Sequence, residues 1–404
     1  MNSRIAILGG LGHVGLPLGL VLADVGFPVS LVDTSRERLQ TARSGKMPFL
    51  EAGADALLTK HRGERLSIYD GAEAISLVAV REASVLIVTI GTPIDEYENP
   101  RYDAIPRALR AYGSTLDGKL IVLRSTVSPG GTAALARELK KEGIRAHIAF
   151  CPERILQGHA IEELRSLPQI ISGLTEEAEY RAASLFSKLG VPLVRASVAE
   201  AELAKLFLNS WRYIAFAAPN EFMRLATELG VDYKNVERAM KEGYSRAAAL
   251  PSPGFAAGPC LLKDTMQLVA ASPHGFPLGM AARMVNERTP ETVVRQLVAL
   301  HGPIDGATIG ILGMAFKADN DDTRDSLSFQ LKKRLEFAGA RVLCSDEHAP
   351  KQYQPVGLAG EWWRTKEEIM AECSGIVVGV NHRAYHGLKI PDGKVCVDLW
   401  GVTR

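Results

Sequence analysis

From its first residues the chain alternates short apolar runs with stretches of helical period. "RIAILGG" and "PVSLVD" are rich in β-branched residues, and "LPLGLVLADVG" between them repeats its apolar positions at helical spacing. That pattern predicts a strand–helix–strand unit. Further apolar runs follow at "SVLIVTIG", "KLIVLRST", "RAHIAFCPE" and "PQIISG". Strands separated by helical segments predict a parallel, doubly wound sheet over residues 1–195. From Val198 to Leu229 the pattern becomes one long helix, with Leu203, Leu206, Phe207, Trp211 and Ile214 at helical spacings. Pro219 is expected to kink this helix or end its first part. The loop "ALPSPGFAAGP" then breaks all periodicity, so residues 196–300 are read as a mostly helical spacer and dimerisation domain. In residues 301–404, "ATIGILGMAF" repeats the character of "RIAILGGLGHVG", and "ARVLCSDEH" that of "FPVSLVDTS". Each half thus has a glycine-ended strand, a helix, and a strand ending in aspartate, Asp33 or Asp346. "SGIVVGV" and "KVCVDLW" supply later strands. The expected fold class is α/β, with two doubly wound parallel-sheet domains joined by a central helical domain containing a long helix.

Composition narrows the partners. The 404 residues are 47% hydrophobic and 23% charged, with a net charge of +1. That balance gives no electrostatic reason to expect nucleic acid or an anionic membrane, so any anion must be held locally. No apolar run reaches the ~18 residues of a spanning helix, and the chain enters a strand pattern without a basic, apolar leader. Five scattered cysteines, at 151, 260, 344, 373 and 396, show no zinc-type spacing. The expectation is a cytoplasmic protein with reduced thiols and no metal.

"GGLGHVG" places Gly10, Gly12 and Gly15 as G-x-G-x-x-G between a strand and a helix. Gly10 would permit the tight turn, Gly12 would let backbone approach a pyrophosphate, and Gly15 would let helix pack on strand. Asp33, ending the next strand, suits a ribose-binding acid and disfavours a 2′-phosphate, so NAD is expected over NADP, with Arg36 and Arg38 tempering the preference. Thr92 in "IGTPI" and Ser125–Thr126 in "RSTVSPGGT" follow strands of the same block. Such hydroxyls bond a ligand or cap a turn, and spacing leaves both open. The third block lacks a third glycine, so no dinucleotide loop is expected after Gly310 and Gly313. Lys317 suits a phosphate there, or joins Arg324 and the acids of "DNDDTRD" in a solvated loop.

On the central helix, "AELAKLFLNSW" sets Lys205 and Asn209 four apart on one face, with Glu202 three before Lys205. Spacing alone reads this as a polar stripe on a half-exposed helix. Glu153 and Arg154 in "CPERILQG" follow another strand and read equally as a charged loop. Cys260 in "GFAAGPCLLKD" sits amid turn chemistry from Gly254, Gly258 and Pro259. Lys263 or Lys205 could favour a thiolate, and Lys263 and Asp264 are types that position or deprotonate water. The pattern leaves Cys260 open between packing and catalysis.

Taken in order, "GGLGHVGLPL", "VDTSRERL", "IGTPIDE", "RSTVSPGGT", "CPERILQG", "AELAKLFLNSW", "NEF", "GFAAGPCLLKD" and "LGMAFKADNDDTRDSLS" resemble the UDP-glucose/GDP-mannose dehydrogenase family along nearly the whole chain. The resemblance implies an N-terminal NAD-binding Rossmann domain, a central dimerisation domain and a C-terminal UDP-binding Rossmann-like domain. It also implies oxidation of a sugar C6 alcohol to the carboxylate in two NAD-dependent steps. Cys260 would attack the C6 aldehyde, giving a thiohemiacetal, then a thioester that water hydrolyses. Lys205 and Asn209 would stabilise oxyanions, Asp264 would pair with Lys205 and help activate water, Thr126 would hold a water or the C6 oxygen, and Glu153 would join the proton handling. His13, Val14, Arg38, Thr92, Ser125, Lys263 and Arg324 would join the glycines, Asp33 and Thr126 on NAD. Arg154, Phe255, Gly258 and Lys317 would contact the sugar nucleotide, and Arg246 would enter the partner subunit's site of a homodimer. The chain departs from the family in Ala257-Gly258-Pro259 before the cysteine and in Gln157 where UDP-glucose members carry glutamate. "PER…G" is similar to members acting on UDP-N-acetylhexosamines and "CLLKD" to UDP-glucose members, so both sugars stand. The chain ends soon after "VDLWG", and a family extension there is expected to be missing. Two rivals remain: a β-hydroxyacid dehydrogenase, which needs neither Cys260 nor a third domain, and a non-catalytic nucleotide-sugar-binding protein.

Overall fold

The computed structural model describes residues 3–349 and 362–403. The chain forms two compact units, Met1–Leu208 with Met266–Pro273, and Asn209–Thr265 with His274–Arg404. In the first, an all-parallel sheet runs β3-β2-β1-β4-β5-β6. Its strands are β1 Ile5–Leu8, β2 Val29–Asp33, β3 Leu66–Asp70, β4 Val85–Val88, β5 Leu120–Leu123 and β6 His147–Phe150. β1, β4 and β5 are buried along their whole length, which is why they read as unbroken apolar runs and not as alternating ones. The helix Gly15–Asp24 is buried from Gly15 to Ala23, as a helix apolar all round must be. Ile5 pairs with Val29 on one side and Val85 on the other. The strand order therefore reverses at β1, where an open α/β sheet presents its crevice.

Two strand expectations need correction. "PQIISG" forms β7 (Gln169–Ile171), which leaves the main sheet and pairs with β8 (Leu193–Arg195). After β7 the chain runs back along β6, where Phe150 N–H donates to Ser172 O (3.1 Å) and Leu174 N–H to Ile148 O (2.9 Å). The edge of β6 is thereby covered by residues 172–174. β3 was not expected, because "LSIYD" is short and only its first residue is buried.

The helix Val198–Glu228 passes through Pro219 without ending. Buried Tyr213, Ala217, Asn220 and Met223 anchor the turns around it, offsetting the ~3 kcal/mol an interior proline costs. Phe207 and Trp211, by contrast, stand 56% and 67% exposed. The second unit carries a parallel sheet ordered β10-β9-β11-β12, with β9 Thr308–Leu312, β10 Arg341–Ser345, β11 Gly375–Val378 and β12 Val395–Asp398. Its order matches the β2-β1-β4-β5 portion of the N-terminal sheet, as the recurring sequence pattern predicts. The "DNDDTRD" loop is only partly solvated: Asn320, Asp322 and Thr323 are buried, while Arg324 and Asp325 are exposed.

Candidate functional site

The turn after β1 is built by close packing. Gly9, not Gly10, takes the left-handed conformation, with φ +74°. Gly10 is required sterically, since a Cβ there would lie 2.8 Å from Ile7 O and 2.9 Å from Leu31 Cα. At Gly15 a Cβ would come within 2.5 Å of Gly9 O and 2.7 Å of Thr89 Oγ1. Thr89 had no role in the sequence reading, yet its hydroxyl lies 2.9 and 3.0 Å from the carbonyls of Leu8 and Gly9 and pins the turn. Gly12 differs: a Cβ there would meet Gly9 O at 3.3 Å and then only Arg38 Nη1 at 3.8 Å. Val14 begins the helix Gly15–Asp24 without a side-chain cap, and His13 stacks on Phe49 at 4.1 Å. Asp33 closes the frame, its carboxylate accepting from Leu11 N–H (2.9 Å) and Ser35 N–H (3.0 Å) while staying half-buried. A half-exposed glycine at 12, an uncapped helix start and a fixed, half-buried acid fit the pyrophosphate and ribose of a dinucleotide.

The other strand ends of this unit are tied together. Thr92 donates its hydroxyl proton to Thr126 O (2.7 Å), so these two predicted ligand residues meet. Ser125 turns inward, with its N–H and hydroxyl both on Val88 O (3.0 and 3.2 Å). Glu153 is buried and paired with buried Arg124, and its Oε1 accepts from Arg154 N–H (2.8 Å) and Ile155 N–H (3.2 Å). Arg124 also donates to Gln169 Oε1 (3.0 Å) and lies 5.0 Å over the Phe186 ring. The Arg154 guanidinium donates to Pro168 O. Sequence reading missed Arg124, although it stands directly before Ser125 and a buried carboxylate demands a buried cation. The half-exposed stripe on the long helix also needs correction. Glu202 is buried, and its carboxylate accepts from Gly130 N–H (2.7 Å) and Thr132 N–H (2.9 Å), satisfying the start of the helix Gly131–Lys141. Lys205, half-buried, follows one turn later.

In the second unit the "GFAAGPCLLKD" loop is rigidly specified. Gly258 has φ +95°, and a Cβ there would strike the Phe316 ring at 2.4 Å; its N–H donates to Asp325 O (3.2 Å). Cys260 is exposed, and its carbonyl accepts from Asp264 N–H (2.9 Å), so it opens the helix Leu261–Ala271. Three buried cysteines set a contrast. Burial pushes the Cys151 and Cys373 thiols up to about 11 and raises Cys344 as well, keeping them protonated. Asp264 is fully buried, accepting from Asn209 Nδ2 (2.5 Å) and from the Lys263 ammonium. Phe255 was expected on the substrate, but its ring packs in the hydrophobic core with Leu327 and Val377. Arg246 is exposed and lies 5.7 Å over the Tyr244 ring.

Lys317 and Arg324 lie on the loop after β9. Arg324 grips buried Asp322 through Nε (2.9 Å) and Nη2 (2.6 Å). Asp346 repeats the device of Asp33: its Oδ2 accepts from the amides of Met314 (2.6 Å) and Ala315 (2.8 Å), and its Oδ1 from those of His348 and Ala349 (both 2.8 Å). Here, however, His382 Nε2 also lies 3.1 Å from Oδ2. Burial would raise this carboxyl, but the imidazole and the amides bring it down to about 2. Asp319, His348 and His382 gather ligand-type atoms within 4.8 Å of one another. Both His382 nitrogens are engaged, Nε2 by Asp346 and Nδ1 by Asp319 N–H (2.9 Å), which leaves that imidazole no lone pair for a metal.

Comparisons with known proteins agree with this construction. Models of the UDP-glucose/GDP-mannose dehydrogenase family match as the NAD binding domain over residues 3–189, the central domain over 199–288 and the UDP binding domain over 310–404. A UDP-N-acetyl-D-mannosamine dehydrogenase of Pyrococcus horikoshii is 31% identical over 395 residues, covering 94% of this chain and 89% of the relative. Among solved structures, a UDP-glucose dehydrogenase from Pyrobaculum islandicum superposes with a TM-score of 0.89 at 26% identity, covering 100% of this chain and 95% of the other. The UDP-D-ManNAc dehydrogenase structure from Pyrococcus horikoshii gives 0.88 at 26% identity, covering 100% and 96%. Among the described residues, no helix is long and apolar enough to cross a membrane. The order of strands, the glycine turn with its acid and the family models converge: this chain belongs to the UDP-glucose/GDP-mannose dehydrogenase family, and its N-terminal block is that family's NAD binding domain.

Proposed function

We propose that the protein is an NAD-dependent UDP-sugar 6-dehydrogenase, oxidising the C6 alcohol to the uronic acid with Cys260 as nucleophile. One observation carries the reading: Cys260 is an exposed residue at the start of a helix, four residues before buried Asp264, which buried Asn209 and half-buried Lys263 hold. A helix N-terminus favours a thiolate, which captures an aldehyde far better than a hydroxyl does. Bound NAD would accept a hydride in each oxidation. The thiol would add to the C6 aldehyde to give a thiohemiacetal, and water would release the acid from the resulting thioester. Asp264, fixed by Asn209 and Lys263, would receive the proton of that water. Lys205 would neutralise negative charge on the C6 oxygen, and Thr126, held beside Thr92, would orient a water. Glu153, locked between Arg124 and two amides, would set the shape of its loop. Gly10, Gly12, Gly15 and Asp33 would seat the dinucleotide, and Lys317 the nucleotide of the sugar.

We assign residues 1–195 to NAD, 196–300 to dimerisation and 301–404 to UDP. The exposed Phe207 and Trp211 support a homodimer, in which Arg246 would reach the partner's site. The relatives' substrates, UDP-N-acetyl-D-mannosamine and UDP-glucose, define the class to test, in a cytoplasmic enzyme supplying polysaccharide precursors. The test is NADH yield: about two equivalents per sugar nucleotide. One equivalent with a released carbonyl compound would instead favour the β-hydroxyacid type. Cys260→Ser should lose overall turnover severely, and unchanged acid formation by that variant would remove Cys260 from the mechanism.

A further inference from the structure

The loop before Cys260 is fastened by a side chain with no assigned role. Asn220, in "NEF", is 2% exposed. Its Nδ2 donates to Gly254 O (3.0 Å), and its Oδ1 accepts from Gly254 N–H (2.8 Å). One carboxamide thus satisfies both polar groups of one residue, as a neighbouring strand would. Nδ2 also donates to Asn286 Oδ1 (2.9 Å), and Asn286 Nδ2 donates to Tyr213 O (2.8 Å). Asn286 and Tyr213 are fully buried, so the amide orientation is fixed by a chain of buried partners. On its far side Gly254 abuts Trp400, whose ring a Cβ would approach to 2.2 Å. The loop is therefore clamped between a carboxamide and an indole, six residues before the thiol. Only a carboxamide carries both donor and acceptor in this geometry, and a half-satisfied buried network is destabilising.

We propose that Asn220, oriented by Asn286, is a positioning residue that sets the path of the Cys260 loop for the reaction. This rests on the reading of Cys260 as nucleophile. Asn220 does not touch substrate; it acts through Gly254. The test is Asn220→Asp, which keeps size and the acceptor for Gly254 N–H but loses the donors to Gly254 O and Asn286. The expected result is a kcat lowered by about ten- to hundredfold, the range for a ~1 Å misplacement. KM for NAD should stay unchanged, and the rate of Cys260 alkylation by iodoacetamide without substrate should shift severalfold. Unchanged kcat, or lowered kcat with wild-type alkylation, would overturn the proposal. Asn286→Ser, which only loosens the carboxamide, should shift the same readouts in the same direction by less; if Asn220→Asp does not fold, it decides the case alone. If Cys260→Ser still forms acid, the nucleophile reading falls. Alkylation then judges the clamp, and a wild-type rate in Asn220→Asp refutes it.

Discussion

Gly258→Ala is the sharpest test of how the thiol loop is built. The backbone there has φ +95°, outside the range that side chains adopt freely, at a cost of about 1–3 kcal/mol. The new Cβ would also lie 2.4 Å from Phe316 Cδ2 and 2.8 Å from Cγ and Cε2. A ring cannot yield as a flexible chain end does, so overpacking adds about 1–3 kcal/mol. The second unit should therefore lose roughly 2–6 kcal/mol, read as a lower denaturant midpoint with an unchanged slope. Gly393→Ala is the matched control, because Gly393 has φ +82° and nothing within 4 Å; it should show the backbone cost alone. Adding Phe316→Leu to Gly258→Ala should recover part of the difference, a coupling a double-mutant cycle measures. Turnover should fall by about a hundredfold if the loop moves ~1 Å. Equal destabilisation by Gly258→Ala and Gly393→Ala would refute the steric argument.

Other perturbations probe other parts. Arg124→Met leaves Glu153 buried without its cation and should cost about 3–5 kcal/mol in the first unit, read by chemical denaturation. Asp346 is held at about 2 against an ordinary 3.8, so its stabilisation is complete above the unfolded value. It is lost as pH falls from about 4 towards 2, and Asp346→Asn should flatten that part of the acid-unfolding curve. The proposed homodimer predicts that Trp211→Asp on the exposed helix face shifts a wild-type dimer to monomer in sedimentation; a monomeric wild type, or a variant that stays dimeric, would contradict the proposed interface. A screen for NADH formation with UDP-N-acetyl-D-mannosamine, UDP-glucose and GDP-mannose should single out a UDP-sugar, and preference for the GDP-sugar would contradict the assignment of residues 301–404.

Much of this architecture was legible because it is local. A glycine turn between a β-branched run and an apolar helix announces itself within fifteen residues, and its repetition after residue 305 announces the second sheet. Departures arose where distant partners decide. Nothing local shows that Glu202 satisfies a helix start seventy residues away, or that residues 172–174 cover β6. Pro219 reads as a residue that kinks or ends the helix, and buried neighbours on both sides carry the helix through it. Asn220 reads only as part of a motif, because a carboxamide's role depends on which backbone it meets. Gly9 was overlooked because the familiar spacing draws attention to Gly10.

Asp33 and Asp346 do the same work for two related sheets, each reaching back to the amides that follow the first strand. At Asp33 the neighbouring Gly12 meets only Gly9 O at 3.3 Å and Arg38 Nη1 at 3.8 Å from a Cβ position, whereas at Asp346 the histidine His382 stands against the carboxylate. The second copy has been closed from within by one of its own side chains. A chain with two such sheets should therefore titrate with one equivalent of dinucleotide, and a calorimetric stoichiometry near two per subunit would show that the turn at Asp346 takes one as well.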